Sequence, residues 1–218
     1  MTFSILARDP DTGALGGAAA TGNLCVGGWV LRGKPGIGVS ASQGYYPSTL
    51  WGEDVLDALA SGLDPDRAIE LTVNPDAGRD SRQLLALDRL GNSGVFSGAE
   101  NTPEVAHYVN PDICAGGNML ARKEVVKAAA EAVLAGSDSF LWRLLSGLRA
   151  GSEAGGDARG LMSAAILIFV EDFPPIDLRV DYDPDPLNVL ERLISRTEDP
   201  DYVSWIRKLP TQRKPFAH

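Results

Sequence analysis

The sequence predicts an α+β layered sandwich, and three features carry that prediction. The chain opens with a β-hairpin from Thr2 to about Thr21, two strand-rich blocks follow one another with paired helical segments between them, and residues 161–170 form the most apolar run in the chain. Strand blocks that each have an apolar face, with amphipathic helices available to cover them, are expected to stack as sheets flanked by helices.

In the opening hairpin, Phe3 to Ala7 are apolar nearly throughout, and Asp9-Pro10-Asp11-Thr12-Gly13 is a cluster of turn formers before a second run, Ala14 to Ala20, built from Ala, Leu and Gly. Small side chains in that second strand leave room for something large at its face, either a packed layer or a ligand. A third strand is predicted over Gly36–Ser42, so that three strands precede the first helix, which is predicted from Thr49 to about Ala60 with Val55, Leu56 and Leu59 on one face. Asp64-Pro65 supplies an N-cap and a proline at the first helical position for a short helix through Leu71. Residues 83–88 and 93–98 read as a second hairpin with Gly91-Asn92 in its turn, and extended chain is predicted between Val105 and Cys114.

Two helices are predicted near 121–135 and 138–150. Val125, Val126, Ala129 and Val133 mark the inner face of the first, and Leu141, Leu144, Leu145 and Leu148 that of the second. After Gly155-Gly156, Leu161 to Val170 is a strand covered on both faces and paired with Asp177–Tyr182 across the Phe173-Pro174-Pro175 loop. Asp185-Pro186 starts a last long helix with Leu187, Leu190 and Ile194 on one face, and Tyr202–Leu209 adds a turn of helix before a polar tail. No repeat or linker divides the chain, so residues 1–218 are expected to form one domain, with its core in about 1–195 and a C-terminal helix and tail over 196–218. A domain of this size buries roughly 70% of the surface exposed by its unfolded chain.

Composition narrows the function classes. A net charge of −9 repels polyanions, so nucleic acid and anionic membrane are not expected partners. No run is long enough for a membrane helix, and residues 1–20 carry Arg8, Asp9 and Asp11 instead of a signal-peptide core, which places the protein in the cytoplasm. Cys25 and Cys114 read as buried free thiols in strand-like settings. They offer no metal-ligand spacing, and no metal or other cofactor is expected. The acidic run Asp181–Asp185 reads as a turn and helix cap. No phosphate-binding or dinucleotide motif is present, and a Cys-His hydrolase would have to combine His107 with one of the two cysteines.

The residue that points to chemistry is Thr2. It follows Met1 directly, and a penultimate residue this small allows Met1 to be removed, leaving Thr2 with a free α-amine. That amine, with a pKa near ~8, lies within reach of its own hydroxyl and can take its proton, so that one residue supplies both base and nucleophile. The start of a core strand would hold it rigidly.

Four segments, in this order, resemble the domain-of-unknown-function 1028 family of bacterial and archaeal proteins. They are Thr2-Phe3-Ser4-Ile5-Leu6-Ala7-Arg8-Asp9, Ala18-Ala19-Ala20-Thr21, Gly117-Asn118-Met119-Leu120, and Gly155-Gly156-Asp157-Ala158-Arg159-Gly160 through Ser163-Ala164-Ala165. The resemblance covers residues 1 to about 195. It implies a four-layer αββα sandwich similar to the N-terminal nucleophile aminohydrolases, and with it an amidohydrolase acting on a small amide or peptide-like substrate.

In that reading Thr2 is the nucleophile, and the strand 14–21 walls the cleft. The Asn118 amide or a backbone N–H in Ser42-Gln43-Gly44 stabilises the oxyanion. Asp157 and Arg159 pair as structural ions, or Asp157 orients the Thr2 amine, or Arg159 binds a substrate carboxylate. Ser4, Thr21, Gln43, Arg159 and Ser163 are the candidate substrate contacts, and Arg8, Lys34 and Arg159 the candidate basic groups for an anionic substrate. The chain departs from the family pattern at Gly116 and Met162, where glutamine is expected. Trp205 and Phe216 are candidate anchors, either of a homo-oligomer, dimer or higher, or of the tail docked on its own chain. The competing function is a catalytically inactive sandwich domain that binds a small ligand or a partner protein.

Overall fold

A computed structural model describes residues 2–102, 104–155 and 160–216. The opening hairpin pairs β1 (Thr2–Arg8) with β2 (Leu15–Thr21), Thr2 lying opposite Thr21. Its turn is closed by Gly13, whose N–H reaches the Asp9 carbonyl from a left-handed backbone (φ +72°). The chain then forms a four-residue helix, α1 (Val26–Trp29), and a short strand, β3 (Leu31–Lys34), before β4 (Gly38–Gly44). The expectation of three strands before the first helix is therefore corrected: four strands and a helical turn precede α2 (Thr49–Ala60). Both added elements are only four residues long and glycine-containing, too short for a periodic signal. Ser48 caps α2 by accepting from the Trp51 N–H, and Asp64 caps α3 (Pro65–Val73) by accepting from the Arg67 N–H.

The hairpin of β5 (Arg82–Asp88) and β6 (Ser93–Ser97) leads to β7 (Val105–Asn110) and β8 (Ile113–Asn118). The predicted extended segment is thus two antiparallel strands reversing at Pro111-Asp112, where Asp112 takes a left-handed backbone (φ +63°), and the second runs on to Asn118. Helices α4 (Glu124–Ala135) and α5 (Phe140–Glu153) follow. Then β9 (Ser163–Phe169) pairs with β10 (Ile176–Val180) as expected, and α6 (Pro186–Thr197) and α7 (Pro200–Ile206) end the fold.

The strands form two antiparallel sheets, ordered β10-β9-β2-β1-β8-β7 and β3-β4-β5-β6. Phe3 and Ile5 point away from the second sheet, into a core shared with Ala129 and Val133 of α4, Leu144 and Leu148 of α5, and Leu190 and Ile194 of α6. Leu6, one residue out of phase, packs between the sheets with Val39, Ala41, Leu85, Leu87 and Cys114. The outer face of the second sheet, with Leu84 and Ala86, is covered by α2 and α3 through Val55, Leu56 and Ile69. Both faces of β1 and β2 are therefore buried, and each fully buried Leu, Ile or Phe contributes about 1.5–3 kcal/mol.

Close approach explains the small residues. A Cβ on Gly16 would lie 2.7 Å from Phe140, and one on Gly17 3.0 Å from Leu31, so the glycines of β2 admit packed layers and not a ligand. In α5, Gly147 lies against Ile5, Val133 and the Ala129 backbone carbonyl, an added Cβ falling 2.6–2.9 Å from all three. The charged residues of the hairpin also serve packing. Asp9, buried, accepts hydrogen bonds from Thr12 and from Arg143 of α5, the latter at 2.6 Å. Burial opposes its ionisation, but those two hydrogen bonds and the charge of Arg143 outweigh it, and the carboxyl is held below its ordinary value.

Two outcomes follow. Gly147→Ala is expected to destabilise the protein by about 1–3 kcal/mol, exceeding the ~1 kcal/mol that alanine gains in helix propensity. A lowered urea midpoint with unchanged slope checks it. Asp9→Asn is expected to cost roughly 1–3 kcal/mol at neutral pH by leaving Arg143 without its charged partner. Because the folded pKa is depressed, the wild-type advantage is present above the ordinary value of 3.8 and disappears as pH falls through the lower folded value. Thermal melts of both proteins from pH 7 down to pH 2 should converge.

Candidate active site

Strand register brings the candidate residues together. Thr2 lies opposite Thr21 on one side and Asn118 on the other, and Thr21 lies opposite Ser163, so four strands contribute Asn118, Thr2, Thr21 and Ser163 in one row at the edge of the large sheet. Neighbours in such a row have Cβ atoms about 4.5–5.5 Å apart on one face. Here that face is the one turned toward the second sheet, because Thr2, Ser4 and Leu6 alternate with Phe3 and Ile5.

The sheets part at this edge, and Thr2, Thr21 and Asn118 line a cleft of about 490 Å³. The Thr2 and Thr21 hydroxyls lie 3.1 Å apart and share a hydrogen bond. Asn118 is only 1% exposed, and its Oδ1 is buried with no hydrogen-bond partner among the described residues. A buried acceptor without a donor costs about 1–3 kcal/mol, so this atom stands ready for a donor brought by a ligand.

Beneath the row the space between the sheets is polar before it becomes apolar. Fully buried Ser4 donates from its hydroxyl to Gln43 Oε1 (2.9 Å), and Gln43 Nε2 donates to Gln83 Oε1 (2.7 Å). Gln83 Nε2 in turn donates to Ser97 Oγ and to the Ala106 carbonyl. Gln43 touches the cleft, but its side-chain amide is committed to this chain of bonds, while Ser4 lies below the cleft floor. Of the backbone donors considered for an oxyanion, the Ser42 N–H is engaged by the Val30 carbonyl.

Two anchored loops form the cleft walls. Buried Ser163 donates to the Asn23 carbonyl and accepts from the Val26 N–H, while the Cys25 N–H donates to the Asp181 carbonyl; Ser163 therefore holds a wall and does not line the cleft. Cys25 itself is half-buried in a left-handed backbone (φ +59°) before α1, not in a strand as expected. On the other side, buried Asn101 accepts from the Tyr45 N–H and donates to the Arg82 and Gly98 carbonyls, and the Tyr46 N–H reaches the Ser81 carbonyl. Gly44, with φ +145°, lies against the Ser81 and Arg82 backbone where a Cβ would have no room.

Several expectations are corrected. Arg8 is at the far end of β1, paired with Asp112, and Lys34 is paired with Asp57, so neither supplies charge to the cleft. Only Thr21 of the small-residue strand 14–21 reaches the cleft. Gly116, where glutamine was expected, faces Leu85 between the sheets and not the cleft. Burial pushes the Cys114 thiol up to about 12, against a weaker effect of a hydrogen bond with Ser93, and the thiol stays protonated and inert. His107 is exposed on β7, opposite Gly116 in the β7–β8 register. Asp157 and Arg159 lie outside the described residues.

Gln83, Asn101, Tyr45, Tyr46 and Trp29 were not anticipated. Gln83 alone carried a signal, as a polar residue in phase with Leu85 and Leu87 on a strand face that must be buried. A larger cavity of about 660 Å³ lies at the other end of the molecule, between the Thr12-Gly13 turn, the Phe173-Pro174-Pro175 loop and Thr211–Arg213, and no candidate residue lines it. Among the described residues no cluster of His, Cys, Asp and Glu fits a metal ion, and no helix is long and apolar enough to cross a membrane.

Comparison with known proteins yields a family model, described as a family of unknown function, DUF1028, that matches residues 2–190. Among solved structures, a DUF1028 protein from Silicibacter pomeroyi is 47% identical, with 99% of this chain and 94% of that chain covered at a TM-score of 0.95. Anbu, an ancestral β-subunit from Yersinia bercovieri, aligns over 95% of this chain and 98% of its own with 12% identity and a TM-score of 0.40. No curated protein matches.

The buried amide chain gives a test of the cleft floor. Gln83→Leu removes the acceptor of Gln43 Nε2 and a donor to the Ala106 carbonyl, and is expected to cost about 1–3 kcal/mol. For a protein of this size the melting temperature should fall by roughly 2–4 °C per kcal/mol, measured by calorimetry.

Proposed function

This chain belongs to the DUF1028 family, and we propose that it is an N-terminal nucleophile amidohydrolase in which Thr2, freed by removal of Met1, attacks a small amide or peptide-like substrate. The helices on the outer faces of two packed antiparallel sheets suit a four-layer αββα arrangement of that class. The observation that carries the reading is the position of Thr2. Its hydroxyl stands in the cleft, 3.1 Å from Thr21 Oγ1, on a strand buried on both faces and opposite a buried asparagine with an unpartnered oxygen.

The chemistry follows from that placement. Thr2 Oγ1 attacks the amide carbon while its proton passes to the Thr2 α-amine, directly or through one water. The carbonyl oxygen becomes an oxyanion, for which the Asn118 amide is the candidate donor. Collapse breaks the C–N bond, and the ammonium of Thr2 returns the proton to the departing amine. Water, activated by the same α-amine, then hydrolyses the threonyl ester. Thr21 holds the Thr2 hydroxyl in one rotamer, and Ser4 and Ser163 act as positioning residues, one beneath the nucleophile and one behind the wall.

Protein purified from its native host is expected to have an intact mass lacking Met1. An electrophilic amide-mimetic probe should label the wild type on Thr2 and leave Thr2→Ala unlabelled. Retained Met1 in native material, or equal labelling of the two proteins, overturns the mechanism and favours the ligand-binding alternative.

A further inference from the structure

The cleft mouth carries a second kind of information. Leu24 and Trp29 stand on one wall with 49% and 55% of their surface exposed, and Tyr45 and Tyr46 on the other with 57% and 64%. The tyrosine rings meet edge to face with centroids 4.8 Å apart. Large exposed apolar side chains on backbone that is held still are a prepared surface, because the conformational cost of ordering the walls is met before a ligand arrives. The holding groups are Asn101 beneath Tyr45 and Ser163 behind the Asn23–Val26 turn. Among the described residues, the cleft lining contains no charged side chain, although the chain as a whole carries a net charge of −9. At its floor the unpartnered Asn118 Oδ1 requires a donor.

We infer that the cleft selects an amide bearing an aromatic group, with the ring seated between Trp29 and the Tyr45-Tyr46 pair and an amide N–H donated to Asn118 Oδ1. This rests on the reading of the cleft as the substrate site, but not on Thr2 being active. Aromatic surface attracts a ring by area and by edge-to-face geometry. The orphaned oxygen distinguishes an amide from an ester of the same shape, since an ester leaves it unsatisfied.

The test uses full-length Thr2→Ala protein, which cannot turn over, and ligand-observed NMR titration with phenylacetamide. Phenylacetamide should bind saturably. Acetamide and methyl phenylacetate should each bind at least about tenfold more weakly, the equivalent of one lost ring or hydrogen-bond contact. Replacing both tyrosines (Tyr45→Ala/Tyr46→Ala) should weaken phenylacetamide about tenfold with an unchanged melting temperature, since their rings are exposed and their backbone is anchored elsewhere.

Equal binding of acetamide or methyl phenylacetate, undiminished binding to the double variant, or no saturation by phenylacetamide at about 10 mM overturns the inference. So does a sedimenting dimer that the double variant dissociates, which would make the rim a subunit contact. Because binding is read on Thr2→Ala, a wild type that hydrolyses nothing leaves this result standing. Conversely, a labelled Thr2 with no preference for the aromatic amide removes only the specificity.

Discussion

Burial of the hairpin β1–β2 on both faces is the constraint on which the rest depends. A strand offers its side chains alternately to two sides, and here each side meets a packed layer: helices against Phe3 and Ile5, the second sheet against Leu6. Once that phase is set, Thr2 must point between the sheets, and its register partners Thr21 and Asn118 must point with it. A slip of one residue would put Leu6 among the helices and Thr2 outside the cleft. The placement of the candidate nucleophile is thus a by-product of core packing, held by every apolar residue of the hairpin.

Between the sheets, polarity changes along β1. Leu6 sits among Leu85, Leu87 and Val39, Ser4 sits among amides, and Thr2 reaches open space. The layer of Ser4, Gln43, Gln83 and Ser97 explains how the sheets can part at one edge without leaving polar groups unmet, since each link donates to the next. Its satisfaction also isolates Asn118. Where neighbouring amides close on one another, an orphaned oxygen in the next row up is a site waiting for a donor.

The walls obey the same logic at larger scale. The 23–29 segment and the 44–48 turn are each tied down by a buried polar side chain, Ser163 and Asn101, with backbone bonds from Cys25 to Asp181 and from Tyr46 to Ser81 beside them. Both carry large apolar groups outward. The cleft therefore combines a fixed polar floor with fixed apolar walls, the usual composition of a small-molecule site.

Periodicity and turn chemistry made much of the fold legible from residues alone. The hairpin at 2–21, the cap at Asp64-Pro65, and the β9–β10 pair are local features, whose signals lie within a few residues of what they specify. Thr2 could be singled out because its proposed chemistry depends on its neighbour Met1. What remained hidden was set by distant partners. The four-residue strand β3 exists because Leu31 and Arg32 find β4 beside them, α1 begins where the Val26 N–H meets the Ser163 hydroxyl, and Asn101 bears on the cleft because the Tyr45 N–H folds against it. Arg8 and Lys34, plausible as cleft cations in sequence, are drawn to Asp112 and Asp57 at the other end of their strands. Sequence by itself determined the longer strands and helices and pointed to the candidate nucleophile, because those follow from local sterics and alternation. Tertiary structure alone decided which side chains share a cleft, because that depends on register between strands distant in sequence, such as Thr21 opposite Ser163, and on contacts such as that of the Ser163 hydroxyl with the Asn23 carbonyl, 140 residues apart.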